Sequence, residues 1–103
     1  MSVVVKVGGK ALHDGAVAIA LAEASASVDH LVVVHGGGSD VDALLERLGH
    51  VSQRIEGRRV TPASEIDIIA GVLAGSANKR LVASMRAEAC RAVGVSLVDL
   101  DAH

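Results

Sequence analysis

Val3-Val4-Val5-Lys6-Val7-Gly8-Gly9 and Leu31-Val32-Val33-Val34-His35-Gly36-Gly37-Gly38 repeat one pattern, a valine-rich run that ends on glycines. Short runs of this kind read as parallel strands that are apolar on both faces because both faces are covered. Glycines at the carboxyl end of such a strand let the backbone come close to a ligand, with N–H groups turned toward it. A helix start after each cluster aims a partial positive charge at the same place. Two such loops from one sheet, one preceded by Lys6, suit a phosphoryl group. The chain has no Gly-x-x-x-x-Gly-Lys-Ser/Thr loop, and its Gly-Gly-Gly run lacks the spacing of a dinucleotide fingerprint.

Working outward, strand one covers about residues 2–7. A helix opening at Asp14 or Gly15 runs to about Ala26, with Val17, Ala20, Leu21, Ala24 and Val28 on one stripe. Strand two spans His30 to His35. Ser39 and Asp40 are the expected caps of a second helix, whose Val41, Leu44, Leu45 and Leu48 repeat at helical spacing until Gly49 stops it. Residues 50–60 alternate and turn at Glu56-Gly57, which predicts a β-hairpin at the sheet edge. Thr61 as N-cap and Pro62 at N1 predict a long helix reaching about Glu88. A last strand is expected from Ala92 to Val98. The order strand, helix, strand, helix predicts an α/β fold, a three-layer αβα arrangement with a mainly parallel sheet and an edge hairpin.

Composition narrows the function. At 103 residues the chain reads as a single domain or a piece of one, and its 50% hydrophobic content argues against disorder. A formal charge of −2 with no long basic patch argues against nucleic acid, and the absence of Phe, Tyr and Trp removes base stacking on aromatics. No apolar stretch is long enough for a membrane span, and no signal peptide is visible. The single cysteine, Cys90, suits a reducing cytoplasm and reads as a small core residue. His13, His30, His50 and His103 show no metal-ligand spacing with Cys90 or with each other, so no metal site is expected.

Val5-Lys6-Val7-Gly8-Gly9, Val34-His35-Gly36-Gly37-Gly38, Gly57-Arg58-Arg59-Val60-Thr61-Pro62, and Ile66-Asp67-Ile68-Ile69 followed by Leu73-Ala74-Gly75-Ser76-Ala77-Asn78-Lys79 occur in a fixed order. In that order and spacing they resemble the amino-acid kinase family, and specifically the amino-terminal lobe of its members that phosphorylate N-acetyl-L-glutamate in arginine biosynthesis. The resemblance covers nearly all of residues 1–103. It implies an acyl-amino-acid-binding lobe, with the nucleotide-binding lobe lying outside these residues. It also implies transfer of the γ-phosphoryl of ATP, with Mg2+, to a side-chain carboxylate, neither ATP nor Mg2+ being expected to bind tightly to this chain alone.

By the same resemblance Lys6 is the catalytic residue, offsetting charge on the transferring phosphoryl. Gly8, Gly9 and Gly36 bind phosphate. Gly37, Gly38 and Arg59 bind substrate, Arg59 by a bidentate pair with a carboxylate. The apolar surface of the helix starting at Pro62 spreads over more than one stripe, which predicts a homodimer through its free side, including some of Ile68, Val72, Gly75 and Val82, and the resemblance implies pairing through the same helix. The sequence departs from the family at Arg58, where an apolar residue is usual, and at Val98 and Leu100 flanking Asp99. Two other readings stay open from the residues: a non-catalytic, truncated or engineered αβα anion-binding module, and the lobe of another carboxylate or carbamate kinase.

Overall fold

A computed structural model describes residues 1–50, 53–96 and 98–100. Strands β1 (Ser2–Val7) and β2 (His30–His35) pair in parallel, in a register that sets Val3 opposite Leu31, Val5 opposite Val33 and Lys6 opposite Val34. Helix α1 (Gly15–Ala26) makes the crossover between them, capped by Asp14, whose side chain accepts from the Ala16 N–H at 2.9 Å. The α/β class with a parallel sheet is what the valine runs predicted.

The valines do not behave alike. Burial alternates along both strands. Val5, Val7, Leu31 and Val33 pack with Ala18 and Leu21 of α1 and with Leu81 and Met85 of helix α4 (Asn78–Ala87). The other side carries Val4, Val32 and Val34, exposed at 70%, 51% and 51%. The expectation of cover on both faces is therefore corrected for the described residues: α1 and α4 lie on the same side. The α1 stripe is corrected too, because Ala18 and Leu21 are its buried residues while Ala20 is exposed.

Helix α2 (Gly38–Arg47) starts earlier than Ser39 and Asp40 would have it. The Val41 N–H donates to the Gly37 carbonyl at 2.9 Å, so Gly37 is the N-cap, and the Asp40 carboxylate goes instead to His13. The helix ends as expected. Gly49, at φ +82°, lets its own N–H reach the Glu46 carbonyl and the His50 N–H reach the Leu45 carbonyl, a Schellman stop. Strands β3 (Gln53–Ile55) and β4 (Arg58–Val60) form the predicted antiparallel hairpin, but as a separate two-stranded sheet rather than as an edge of the parallel one. The start of the predicted hairpin, at 51 and 52, lies outside the described residues.

The helix expected from Pro62 is a composite. A 3-10 turn (Ala63–Glu65) leads into α3 (Ile66–Ala70), a seven-residue π segment (Gly71–Ala77) and then α4. Thr61 is not its cap; the first bond of the run is from the Glu65 N–H to the Pro62 carbonyl, 2.9 Å. Val72 and Ala77 of the π segment join Val41 and Leu45 in a second apolar cluster, and Leu12 touches both clusters. Val72 is thus buried at 4% within the chain and is not part of a free helix side.

The strand predicted over Ala92–Val98 is also corrected. Residues 92–96 have no regular structure, and 97 lies outside the described residues. Among the described residues the parallel sheet consists of β1 and β2 alone, and Val32, Val33, Ala92, Val93 and Gly94 are among the residues that line one groove of about 850 Å³. Side chains hold the segment instead: Arg86 Nε donates to the Ala92 carbonyl at 2.9 Å, and Lys79 Nζ donates to the Gly94 carbonyl at 3.3 Å.

Candidate anion-binding site

The glycine clusters close both strands at the same end of the sheet, and there they meet. A Cβ built on Gly9 would lie 3.2 Å from the Gly37 nitrogen and 3.3 Å from the Gly38 nitrogen. Any side chain at this position would press on the second loop's backbone, which would have to give by a few tenths of an ångström. Gly37 is confined on its other side as well, since a Cβ there would stand 3.0 Å from Leu73 Cδ2 and 3.4 Å from the Ala77 Cβ of the π segment. A π segment set against a candidate site is a recurrent arrangement. Gly38 opens α2, so the unpaired N–H groups and positive dipole end of a ten-residue helix sit at this junction.

Polar pairs brace it from three directions. His13 Nε2, from the 3-10 turn Gly9–His13 after the first glycines, lies 2.5 Å from Asp40 Oδ1 in the first turn of α2. Arg59 of β4 reaches across with NH2 donating to Asp42 Oδ1 at 2.5 Å and to the Gly38 carbonyl at 3.4 Å. Arg54 of β3 donates to the other oxygen of Asp42 at 2.9 Å. Partial burial works to raise the Asp42 pKa, but hydrogen bonds from Arg59 and then Arg54, with their Coulombic attraction, hold it below the ordinary 3.8. Further back, buried Glu65 meets His50 Nδ1 at 3.2 Å and ties the start of the composite helix to the end of α2.

The structure thus brings together Gly9, Gly36, Gly37, Gly38 and Arg59 of the residues expected from sequence. Gly8 lies one residue before the contact and opens the 3-10 turn, its carbonyl accepting from the Ala11 N–H at 3.0 Å. Lys6 projects from the exposed face of β1 beside Val34 and makes no hydrogen bond or ion pair among the described residues. Arg58 is exposed, while Arg59 is partly buried with its side chain 14% accessible.

Sequence reasoning missed Asp42. Its place four residues after Gly38, on the first turns of an amphipathic helix, was the available signal. It also left Asn78 without a role, although this residue is buried and its Nδ2 lies 3.0 Å from His35 Nε2. The site's donors are backbone N–H groups, a guanidinium and, on the adjoining strand, an ammonium. Such a set recognises phosphoryl or carboxylate oxygens.

The family model described as "Amino acid kinase family" matches residues 1–103. The acetylglutamate kinase of Psychrobacter arcticus is 43% identical over 98 residues, covering 91% of this chain and 32% of that protein. Those of Vibrio vulnificus strain CMCP6 and Methanopyrus kandleri are 43% and 38% identical, each alignment covering 93% of this chain and respectively 38% and 37% of the relative. The chain therefore spans about a third of the length of these relatives. Among solved structures, N-acetylglutamate synthase from Neisseria gonorrhoeae, complexed with coenzyme A and N-acetyl-glutamate, superposes with a TM-score of 0.65. It is 24% identical, and the match covers 84% of this chain and 21% of that one, a likeness of fold. With the family model matched along its whole length and two glycine loops meeting at a helix N-terminus beside an arginine, the chain belongs to the amino acid kinase family.

Proposed function

We propose that these residues form the acyl-amino-acid-binding lobe of an acetylglutamate-kinase-like phosphotransferase of arginine biosynthesis, acting in the cytoplasm. The observation that carries this reading is the junction of both glycine loops with the start of α2 and with Arg59. The reaction joins a side-chain carboxylate oxygen of N-acetyl-L-glutamate to the γ-phosphorus of ATP and breaks the bond to the bridging oxygen, so that ADP leaves. Its transition state is loose and anionic, and catalysis is mostly positioning and charge stabilisation.

In this reading Gly8, Gly9 and Gly36 donate backbone N–H groups to phosphoryl oxygens. Gly37 and Gly38 donate to substrate oxygens. Lys6 supplies positive charge to the transferring group from the strand that leads into the first glycine loop. Arg59 binds the α-carboxylate. A guanidinium carries its five N–H donors in a planar fork that matches a carboxylate. These donors suit a phosphoryl group, whereas ATP and its Mg2+ would be bound chiefly by parts of such an enzyme beyond residue 103. A homodimer through the composite helix belongs to the same reading, with exposed Ile66 and half-buried Gly75 and Val82 as its surface, since Val72 is buried and Ile68 packs against the cluster that contains it.

The test is a titration of the 103-residue chain with N-acetyl-L-glutamate and with inorganic phosphate, followed by amide shifts, together with hydroxylamine trapping of acyl phosphate in the presence of ATP. Shifts at Gly9, Gly37 and Gly38 without turnover are expected. Turnover abolished by Lys6→Ala would show that these residues suffice for catalysis. Glycine amides that ignore both ligands would remove the proposal.

A further inference from the structure

Asn78 occupies an unusual position for a carboxamide. It is the first residue of α4, directly after the π segment, and is only 9% exposed. Its amide orientation is determined by chemistry. Lys79 Nζ, which can only donate, lies 3.2 Å from Oδ1, so Nδ2 is the group 3.0 Å from His35 Nε2. Nδ2 can only donate, and His35 Nε2 must therefore accept. The ring proton is then on Nδ1, which lies 2.7 Å from the Gly36 carbonyl, an acceptor. Each assignment forces the next.

The chain of bonds ends on the glycine loop. The peptide between Gly36 and Gly37 is planar and trans, so its carbonyl and its N–H point in opposite directions. Whatever holds the Gly36 carbonyl also aims the Gly37 N–H. At the far end, Lys79 Nζ also donates to the Gly94 carbonyl at 3.3 Å, and a Cβ on Gly94 would come 1.9 Å from Asn78 Oδ1. Nothing larger than glycine fits at 94 while Asn78 keeps its place.

We propose that Asn78 is a positioning residue for the second glycine loop: its carboxamide donates to His35 Nε2, His35 Nδ1–H holds the Gly36 carbonyl, and the Gly37 N–H is thereby aimed into the anion site. The orientation of that N–H stands on the hydrogen bonds alone, while its use in binding rests on the function proposed above.

Nitrogen-15 spectra of the neutral His35 ring in the unaltered chain give the first test, and a protonated Nδ1 with a bare Nε2 is expected. A predominant Nε2–H form would overturn the proposal. Two variants give the second. Asn78→Asp keeps the volume and an oxygen for Lys79 but removes the donor, and Gly94→Ala displaces Asn78 without altering the loop or the helix. Residual dipolar couplings of the Gly37 N–H should change in both and those of Gly49 in neither. Affinity for N-acetyl-L-glutamate should fall about three- to tenfold, the worth of one hydrogen bond.

An unchanged Gly37 vector in the folded variants would overturn the proposal, as would a changed vector with full affinity. If Asn78→Asp does not fold, Gly94→Ala and the ring spectra carry the decision. If neither N-acetyl-L-glutamate nor phosphate shifts the Gly37 amide of the unaltered chain, the binding function fails. The ring tautomer and the N–H vector then still decide what Asn78 does.

Discussion

The sheet and the glycine-loop junction are built from different bonds. In the sheet, β1 and β2 present alternate residues to α1 and α4, and apolar contact among Val7, Leu21, Leu81 and Met85 holds the layers together. At the junction the apolar cluster is smaller, although it contains the most completely buried side chain among the described residues, Leu45 at 0% exposure. Polar pairs between residues far apart in sequence brace the rest: His13 with Asp40, Arg54 and Arg59 with Asp42, His50 with Glu65, Asn78 with His35. Apolar packing is non-directional and tolerates small displacements, whereas hydrogen-bonded ion pairs demand distance and angle. A region that must present several N–H groups to one ligand gains from the second kind of bond.

The most severe test of this contrast is a pair of neighbouring valines in β2. Val33→Asp places a carboxylate against α1 and α4 and should cost about 3 kcal/mol or more of unfolding free energy, the scale for burying an unpaired charge. Val34→Asp, one residue on, faces solvent beside Lys6 and should cost about 1 kcal/mol or less. Equal losses in denaturant melts would mean that the second face of the sheet is covered after all. Leu45→Ala comes next. It should cost about 2–5 kcal/mol as a fully buried leucine, and it should broaden the Gly37 and Gly38 amide signals before the chain unfolds. Sharp signals at those glycines would separate the loop from the cluster beneath it.

Arg59→Ala probes the polar bracing directly. Loss of a charge-assisted pair should weaken N-acetyl-L-glutamate binding by roughly 1.5–3 kcal/mol and phosphate binding by less. Equal loss for both ligands in parallel titrations would make Arg59 a brace of the junction and not a substrate ligand.

Acid separates the regions in a gentler way. Asp42 has a folded pKa below its ordinary 3.8, so its pairs contribute in full above that unfolded value. The contribution is lost as pH falls through the lower folded value. Because Asp42 is 41% accessible, solvent screening keeps the effect small. Amides around Arg54 and Arg59 should respond to this titration before those of β1 and β2, and Asp42→Asn should remove the early response. A simultaneous response in both regions would show that they unfold as one unit.

The smallest effects concern association. Val32→Thr on the exposed sheet face and Ile66→Glu on the composite helix should each leave stability within about 1 kcal/mol. Sedimentation over a range of concentrations then tells which surface pairs. Loss of a dimer with Ile66→Glu alone supports the helix, and loss with Val32→Thr alone moves the interface to the sheet.

The sequence by itself determined both parallel strands, the crossover helix opening at Asp14 or Gly15, the Gly49 stop and the turn of the hairpin, because helix ends and turns rest on contacts within a few residues and each valine run closed by glycines carries its strand character along its whole length. It also marked the glycines that meet, since a cluster after a valine run has few other uses. It did not reveal that only one side of those valines is covered, because a valine facing a helix and a valine facing water are the same letter. The break of the long helix into 3-10, α and π pieces likewise came from tertiary contact, where Leu73 and Ala77 close on Gly37. Residues 92–96 had strand character, yet a strand exists only with a partner ladder, and here two of the segment's carbonyls accept from side chains of α4 instead. Asp42 and Asn78 became visible as parts of the site only in three dimensions. Their partners lie 17 and 43 residues away, and hydrogen bonding at that separation is decided by how the chain packs and not by its local pattern.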